Sequence, residues 1–132
     1  MKFRNSGRQV YLVLPIPKGD AFSPSGIVKR GTITGFSVVR EFRLSEVDPW
    51  GKPIADRLRS MAISDGAVAI DPTDYMCSGG NCPTLADDGL PRYCDDSHLR
   101  PGYVRNQVTF LDDILLTNKT PEIPALARVD QR

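Results

Sequence analysis

Residues 9–17 read QVYLVLPIP, a mostly aliphatic run too short for a good helix and stopped by Pro15 and Pro17. A continuous apolar run suits a strand buried on both faces, as in a parallel sheet covered by helices. Residues 67–70 (AVAI), followed by Asp71-Pro72, carry the same signal in shorter form. Between them lies a helical pattern that Asp48 or Lys52 can start, with Pro53 in the first turn, where a missing N–H does no harm. Ile54, Leu58 and Met61 fall at i, i+4 and i+7 and predict one buried stripe, with Asp56, Arg57 and Arg59 turned outward; Asp65-Gly66 ends the helix. Strand, helix, strand is the order of an α/β domain with a parallel sheet. In such sheets sites form just beyond the C-terminal ends of the strands, so chemistry is expected after Ile70.

The flanking segments are less regular. Residues 18–30 are rich in Gly, Pro and Ser and read as a loop, and residues 33–44 are ambiguous. Phe36, Val39, Arg40 and Arg43 could line a helix there, but Thr, Val and Gly weaken that reading. Residues 73–100 form a long polar loop that holds all three cysteines and the only histidine, and loops of that length in compact domains are often functional. Pro101 opens a final helix with Val104, Val108, Leu111 and Leu115 as its inner stripe, supplemented by Phe110 and Ile114. Pro121 and Pro124 break any pattern beyond residue 117, so 8–116 reads as the folded part and 117–132 as a poorly ordered tail.

A chain of 132 residues suffices for one domain with a sizeable core. Its 17 Lys and Arg against 16 Asp and Glu leave a net charge of +1, which offers no nucleic-acid footprint and no overall attraction to a membrane surface. The apolar run at Val10–Ile16 is far too short to span a bilayer, and Pro15, Pro17 and the charges after them do not suit a signal peptide. Trp50, beside Gly51, is expected to be a packing anchor rather than a sugar platform.

Asp95-Asp96-Ser97-His98-Leu99 is the most informative segment. Acyl transfer through a serine hydroxyl needs a base to take its proton and a carboxylate to hold that base in the right tautomer. Thirteen residues are aspartate, so spacing alone fits a surface histidine beside a solvated acidic loop at least as well. Cys77, Cys82 and Cys94 also admit two readings. One is a short disulfide loop with one thiol left over; the other is a Cys3His zinc module, Cys77, Cys82, Cys94 and His98 at C-x4-C-x11-C-x3-H. Six aspartates against Arg92 alone across residues 71–98 argue against a nucleic-acid version of that module. Arg100 and Arg105, close to the histidine, could meet an anionic substrate, although arginines at a helix start are usually solvated.

The block AIDPTDYMCSGGNCPTLADDGLPRYCDDSHLRPGYVR, residues 69–105, resembles the last block of SGNH domains, the kind fused to membrane-bound acyltransferases that O-acetylate bacterial surface polysaccharides. Tyr93, Asp95, His98, Leu99 and Gly102 match the family's Tyr-x-Asp-x-x-His-Leu motif and the small residue after it, and residues 9–17 look like the strand after the family's third block. The resemblance implies an incomplete three-layer, flavodoxin-like α/β fold, represented by its C-terminal portion with few parallel strands. It makes His98 the general base and Asp95 its orienting carboxylate, and it implies a Cys77–Cys82 disulfide with Cys94 free or buried. It implies no cofactor and an extracytoplasmic, periplasmic setting. The family's nucleophile sits on an upstream Gly-Asp-Ser turn, and its other oxyanion donors on the two blocks after that. Gly19-Asp20-Ala21 follows the wrong strand and has Ala in place of the oxygen, while Ser23, Ser25 and Ser97 lack a nucleophile-elbow context. The chain is therefore expected to be inactive alone and completed by a missing N-terminal SGNH segment or an acyltransferase membrane domain. A surface polysaccharide would be the parent's substrate.

Overall fold

The computed structural model describes residues 8–31 and 35–116. Strands β1 (Tyr11–Val13) and β5 (Val68–Ile70) pair in parallel, with Tyr11 opposite Val68, Leu12 opposite Ala69 and Val13 opposite Ile70. The ladder continues past both strand ends, Val68 N–H donating to the Val10 carbonyl (2.9 Å) and Leu14 N–H to that of Ile70 (2.8 Å). A parallel pair needs a long crossover, and helix α2 (Gly51–Ser64), packed on β5, lies within it. The α/β class read from the sequence is therefore present. The burial expected along both strands is only partial: Leu14 on one face and Ile70 on the other are buried, whereas Val13 and Val68, which share the face of Ile70, are exposed.

Helix α2 has the expected span and a different face. Asp48 accepts the Gly51 N–H (3.0 Å), Pro53 sits in the first turn, and the chain leaves through Gly66 at φ +80°. The buried positions are Ala55 (7% exposed) and Ala62 (5%), whereas Ile54 (51%) and Met61 (54%) face solvent and Leu58 is half-buried. Small side chains let the helix approach β5 closely, so the expected stripe of large residues is rotated outward. Nor does Arg59 point to solvent. It is half-buried, bonded to Asp56 (2.9 Å) and to Asp71.

The segments read as irregular hold short antiparallel pairs. β2 (Val28–Arg30) pairs with β3 (Phe36–Val38), and β4 (Glu41–Arg43), which leads into the single turn α1 (Leu44–Val47), pairs with β6 (Asn81–Pro83). The ambiguous stretch is thus extended rather than helical, with residues 32–34 outside the described part. The 73–100 loop also contains the turn of helix α3 (Thr73–Met76), capped where Asp71 accepts the Thr73 N–H (2.9 Å). Between Ser78 and Asn81 the chain reverses through Gly79 (φ +58°) and Gly80 (φ +83°), the positive-φ pair that a tight hairpin turn requires.

The final helix is two pieces, α4 (Pro101–Gln107) and α5 (Asp112–Leu116). Its core residues are Tyr103 and Phe110, with Val108 and Ile114 partly buried; Val104, Leu111 and Leu115 are exposed, so the predicted stripe is displaced. The break at Val108–Leu111 lets Phe110 turn into the core. That core gathers Phe22, Ile70, Met76, Cys82, Ala86, Tyr93, Tyr103 and Phe110 beside the C-terminal end of β5 and beneath the long loop. The tail at 117–132 lies outside the described residues.

Candidate active site

The histidine loop is a small closed unit. Tyr93 and Leu99 bridge at its neck, and the Cys94 N–H donates to the His98 carbonyl (2.8 Å). Inside it the Asp95 carboxylate accepts the N–H groups of Ser97 (2.9 Å) and His98 (2.7 Å) on Oδ1, the local turn that an aspartate forms with residues just after it. That turn brings the ring of His98 onto the same carboxylate, with Nδ1 at 3.1 Å from Oδ1 and 2.9 Å from Oδ2. The N–H groups of Ser97 and His98, and then the His98 ring, hold the Asp95 carboxyl at about 2, against an ordinary 3.8. With Nδ1–H donated to Asp95, neutral His98 keeps a free lone pair on Nε2. Among the described residues Nε2 has no hydrogen-bond partner, and the imidazole is 77% exposed.

Two contacts fix this loop to the C-terminal end of β1. Tyr93 is buried, stacks on Phe22 at 5.1 Å and donates its hydroxyl to the Pro17 carbonyl; burial pushes its phenol well above its ordinary pKa. Gly19 donates its N–H to the Asp96 carbonyl (2.8 Å). It does so at φ +138°, where an added Cβ would lie 2.9 Å from the Val47 carbonyl oxygen, so only glycine suits the position. The pairing of Asp95 with His98 is legible in the sequence, whereas the anchoring contacts of Tyr93 and Gly19 are not. Of the two, only Tyr93 had a signal, its place in the motif.

The other candidates separate. Ser97 Oγ lies 3.4 Å from Nδ1 and 2.9 Å from Asp96 Oδ1, on the occupied side of the ring rather than at Nε2. Ser23 is a turn residue, its Oγ donating to the Asp20 carbonyl (2.7 Å) and accepting the Gly26 N–H (3.0 Å). Gly19-Asp20-Ala21 leads into one 3-10 turn, Asp20–Phe22. Cys77 and Cys82 are joined in a disulfide and Cys94 is free and exposed, so the rival Cys3His ligand set is not assembled. Arg100 does not wait for an anion. It binds Asp88 (2.6 and 2.9 Å) and the Pro91 carbonyl (2.8 Å). Arg92, counted as the lone cation of the acidic loop, is an internal staple to the carbonyls of Leu85 and Met76 (3.0 Å each) beneath Tyr103. Trp50 is 75% exposed and anchors nothing.

On the other side of the β1 exit, a groove of about 290 Å³ runs between Pro15, Pro17, Leu44, Asp48, Ala55 and Asp71, at the C-terminal ends of the two parallel strands. Neither Asp95 nor His98 lines it. Among the described residues no helix is long and apolar enough to cross a membrane. The disulfide is of the kind that persists in an oxidising compartment.

Nothing among the curated proteins and nothing among the solved structures matches. A family model described as "SGNH domain (fused to AT3 domains)" matches residues 1–105, nearly the whole described part and all of the Asp95–His98 loop. The chain belongs to the SGNH domain family, of the kind fused to AT3 domains.

Proposed function

We propose that this chain supplies the acid–base half of an SGNH acyl-transfer site, with His98 as general base and Asp95 as its orienting carboxylate. The supporting observation is the Asp95–His98 contact at 2.9 Å with Nε2 left free. In the proposed step a serine hydroxyl gives its proton to Nε2 while its oxygen attacks an acyl carbonyl. Asp95 stabilises the imidazolium, which returns the proton to the leaving group. The acyl-serine then passes its acetyl group to a sugar hydroxyl of a surface polysaccharide, or to water. Residues 8–116 act as the C-terminal part of the domain in an extracytoplasmic, periplasmic setting. The serine and its oxyanion donors come from an N-terminal SGNH segment, and the partner is the acyltransferase domain to which such domains are fused. By itself the 132-residue chain is inactive.

Hydrolysis of p-nitrophenyl acetate tests this. The chain alone should stay at background, and His98→Ala should change nothing. Joined to an upstream segment carrying a Gly-Asp-Ser turn, it should turn over substrate; His98→Ala should then abolish the rate and Asp95→Asn reduce it on the order of 10⁴-fold. His98-dependent turnover by the chain alone would overturn the claim that the nucleophile lies elsewhere. Turnover of the joined protein that ignores His98 would overturn the base assignment.

A further inference from the structure

The ribbon formed by β2 and β3 stands apart from the core, with all six of its residues exposed. Its register, Val28 opposite Val38, Lys29 opposite Ser37 and Arg30 opposite Phe36, sorts the side chains by face. Val28, Arg30, Phe36 and Val38 share one face; Lys29 and Ser37 share the other. Among the described residues nothing buries the apolar face, and Phe36 is 71% exposed. The Arg30 guanidinium lies 5.9 Å from the centre of the Phe36 ring, a cation held against an aromatic surface. Between Asp20 and Glu41 the sequence has Lys29, Arg30 and Arg40 and no acidic residue, although the whole chain is nearly neutral. Net charge hides this segregation.

We propose that this ribbon is a shallow membrane foot that docks on an anionic bilayer surface. Three apolar side chains with Arg30 among them are far too few for a specific protein interface, which needs about 800 Å² from each partner. They suit interfacial binding, in which a small apolar face enters the headgroup boundary and neighbouring cations meet acidic lipid. A two-stranded ribbon keeps its outer backbone edges hydrated only at that depth, so it rests in the headgroup layer and does not span. The inference depends on the ribbon alone, not on the catalytic reading of His98.

Sedimentation of the full chain with vesicles tests it. The chain should bind vesicles of equal parts phosphatidylglycerol and phosphatidylcholine, more weakly as salt rises, and should leave pure phosphatidylcholine vesicles largely unbound. Arg30→Gln, on the apolar face, should lower the partition coefficient on the order of fivefold, and Phe36→Ser on the order of tenfold. All these side chains are exposed, so the variants should melt at the temperature of the unaltered chain. Absence of binding to the anionic vesicles, equal binding to both vesicle types, or binding indifferent to the variants would overturn the proposal. A Phe36-dependent dimer in gel filtration, or capture by polyglutamate without vesicle binding, would overturn it in favour of a protein partner.

Discussion

Three groups lower the pKa of the Asp95 carboxyl: the N–H groups of Ser97 and His98 and the His98 ring. The backbone N–H groups of Ser97 and His98 contribute more to that lowering than the imidazole does. The folded carboxyl titrates at about 2 and the unperturbed one at 3.8. Because the folded value is depressed, the stabilisation is fully present above 3.8 and is lost as pH falls through about 2. A carboxyl-detected NMR titration should place the Asp95 midpoint near 2; a midpoint near 3.8 would mean that the turn is open in solution. The motif made this pair legible, since both partners lie within four residues. The Tyr93 hydroxyl bond to Pro17 spans 76 positions, and no local pattern reveals a contact of that separation.

Elements with strong local signals were legible: β1, β5, and α2 with both of its ends. The buried face of α2 is not legible in the same way, because its large residues Ile54 and Met61 point outward and its packed side is alanine. Alanine carries little hydropathy, yet it sets how closely a helix approaches a strand. The energetic ordering follows. Ala62→Leu should cost about 1–3 kcal/mol by overpacking the α2–β5 contact, whereas Ile54→Ser should stay within about 0.5 kcal/mol. Urea midpoints of the two variants check this, and the reverse order would restore the large-residue stripe as the buried face. The three-residue strands β2, β3, β4 and β6 were illegible for another reason. β1 and β5 are as short but lie in aliphatic runs, whereas these strands mix charged and polar residues with too little alternation to distinguish them from loops. The final helix was read as continuous because no Gly or Pro marks the break between Gln107 and Asp112.

On the scale of the molecule, the parallel pair is unfinished, and the proposed division of labour depends on that. Parallel sheets ordinarily lie beneath cover on both faces, yet here Val13 and Val68 remain exposed on the face whose Ile70 is buried. Val10 and Leu14 direct their backbone groups toward β5. By alternation Tyr11 and Val13 direct theirs to the opposite edge, where no described strand pairs with them. An added strand carrying a nucleophile could join there without disturbing the Tyr93 and Gly19 anchors, which hold the histidine loop to residues beyond the end of β1. Amide hydrogen exchange follows this edge directly. In the chain alone the Leu14 and Val68 amides should exchange slowly and those of Tyr11 and Val13 fast, because only the first two are bonded within the pair. With the upstream segment joined, Tyr11 and Val13 should slow to match. If they stay fast while acetate turnover appears, the serine reaches His98 without extending this sheet, and the edge has another use. If all four exchange alike in the chain alone, the pair opens as one unit and forms stably only when the rest of the domain is present.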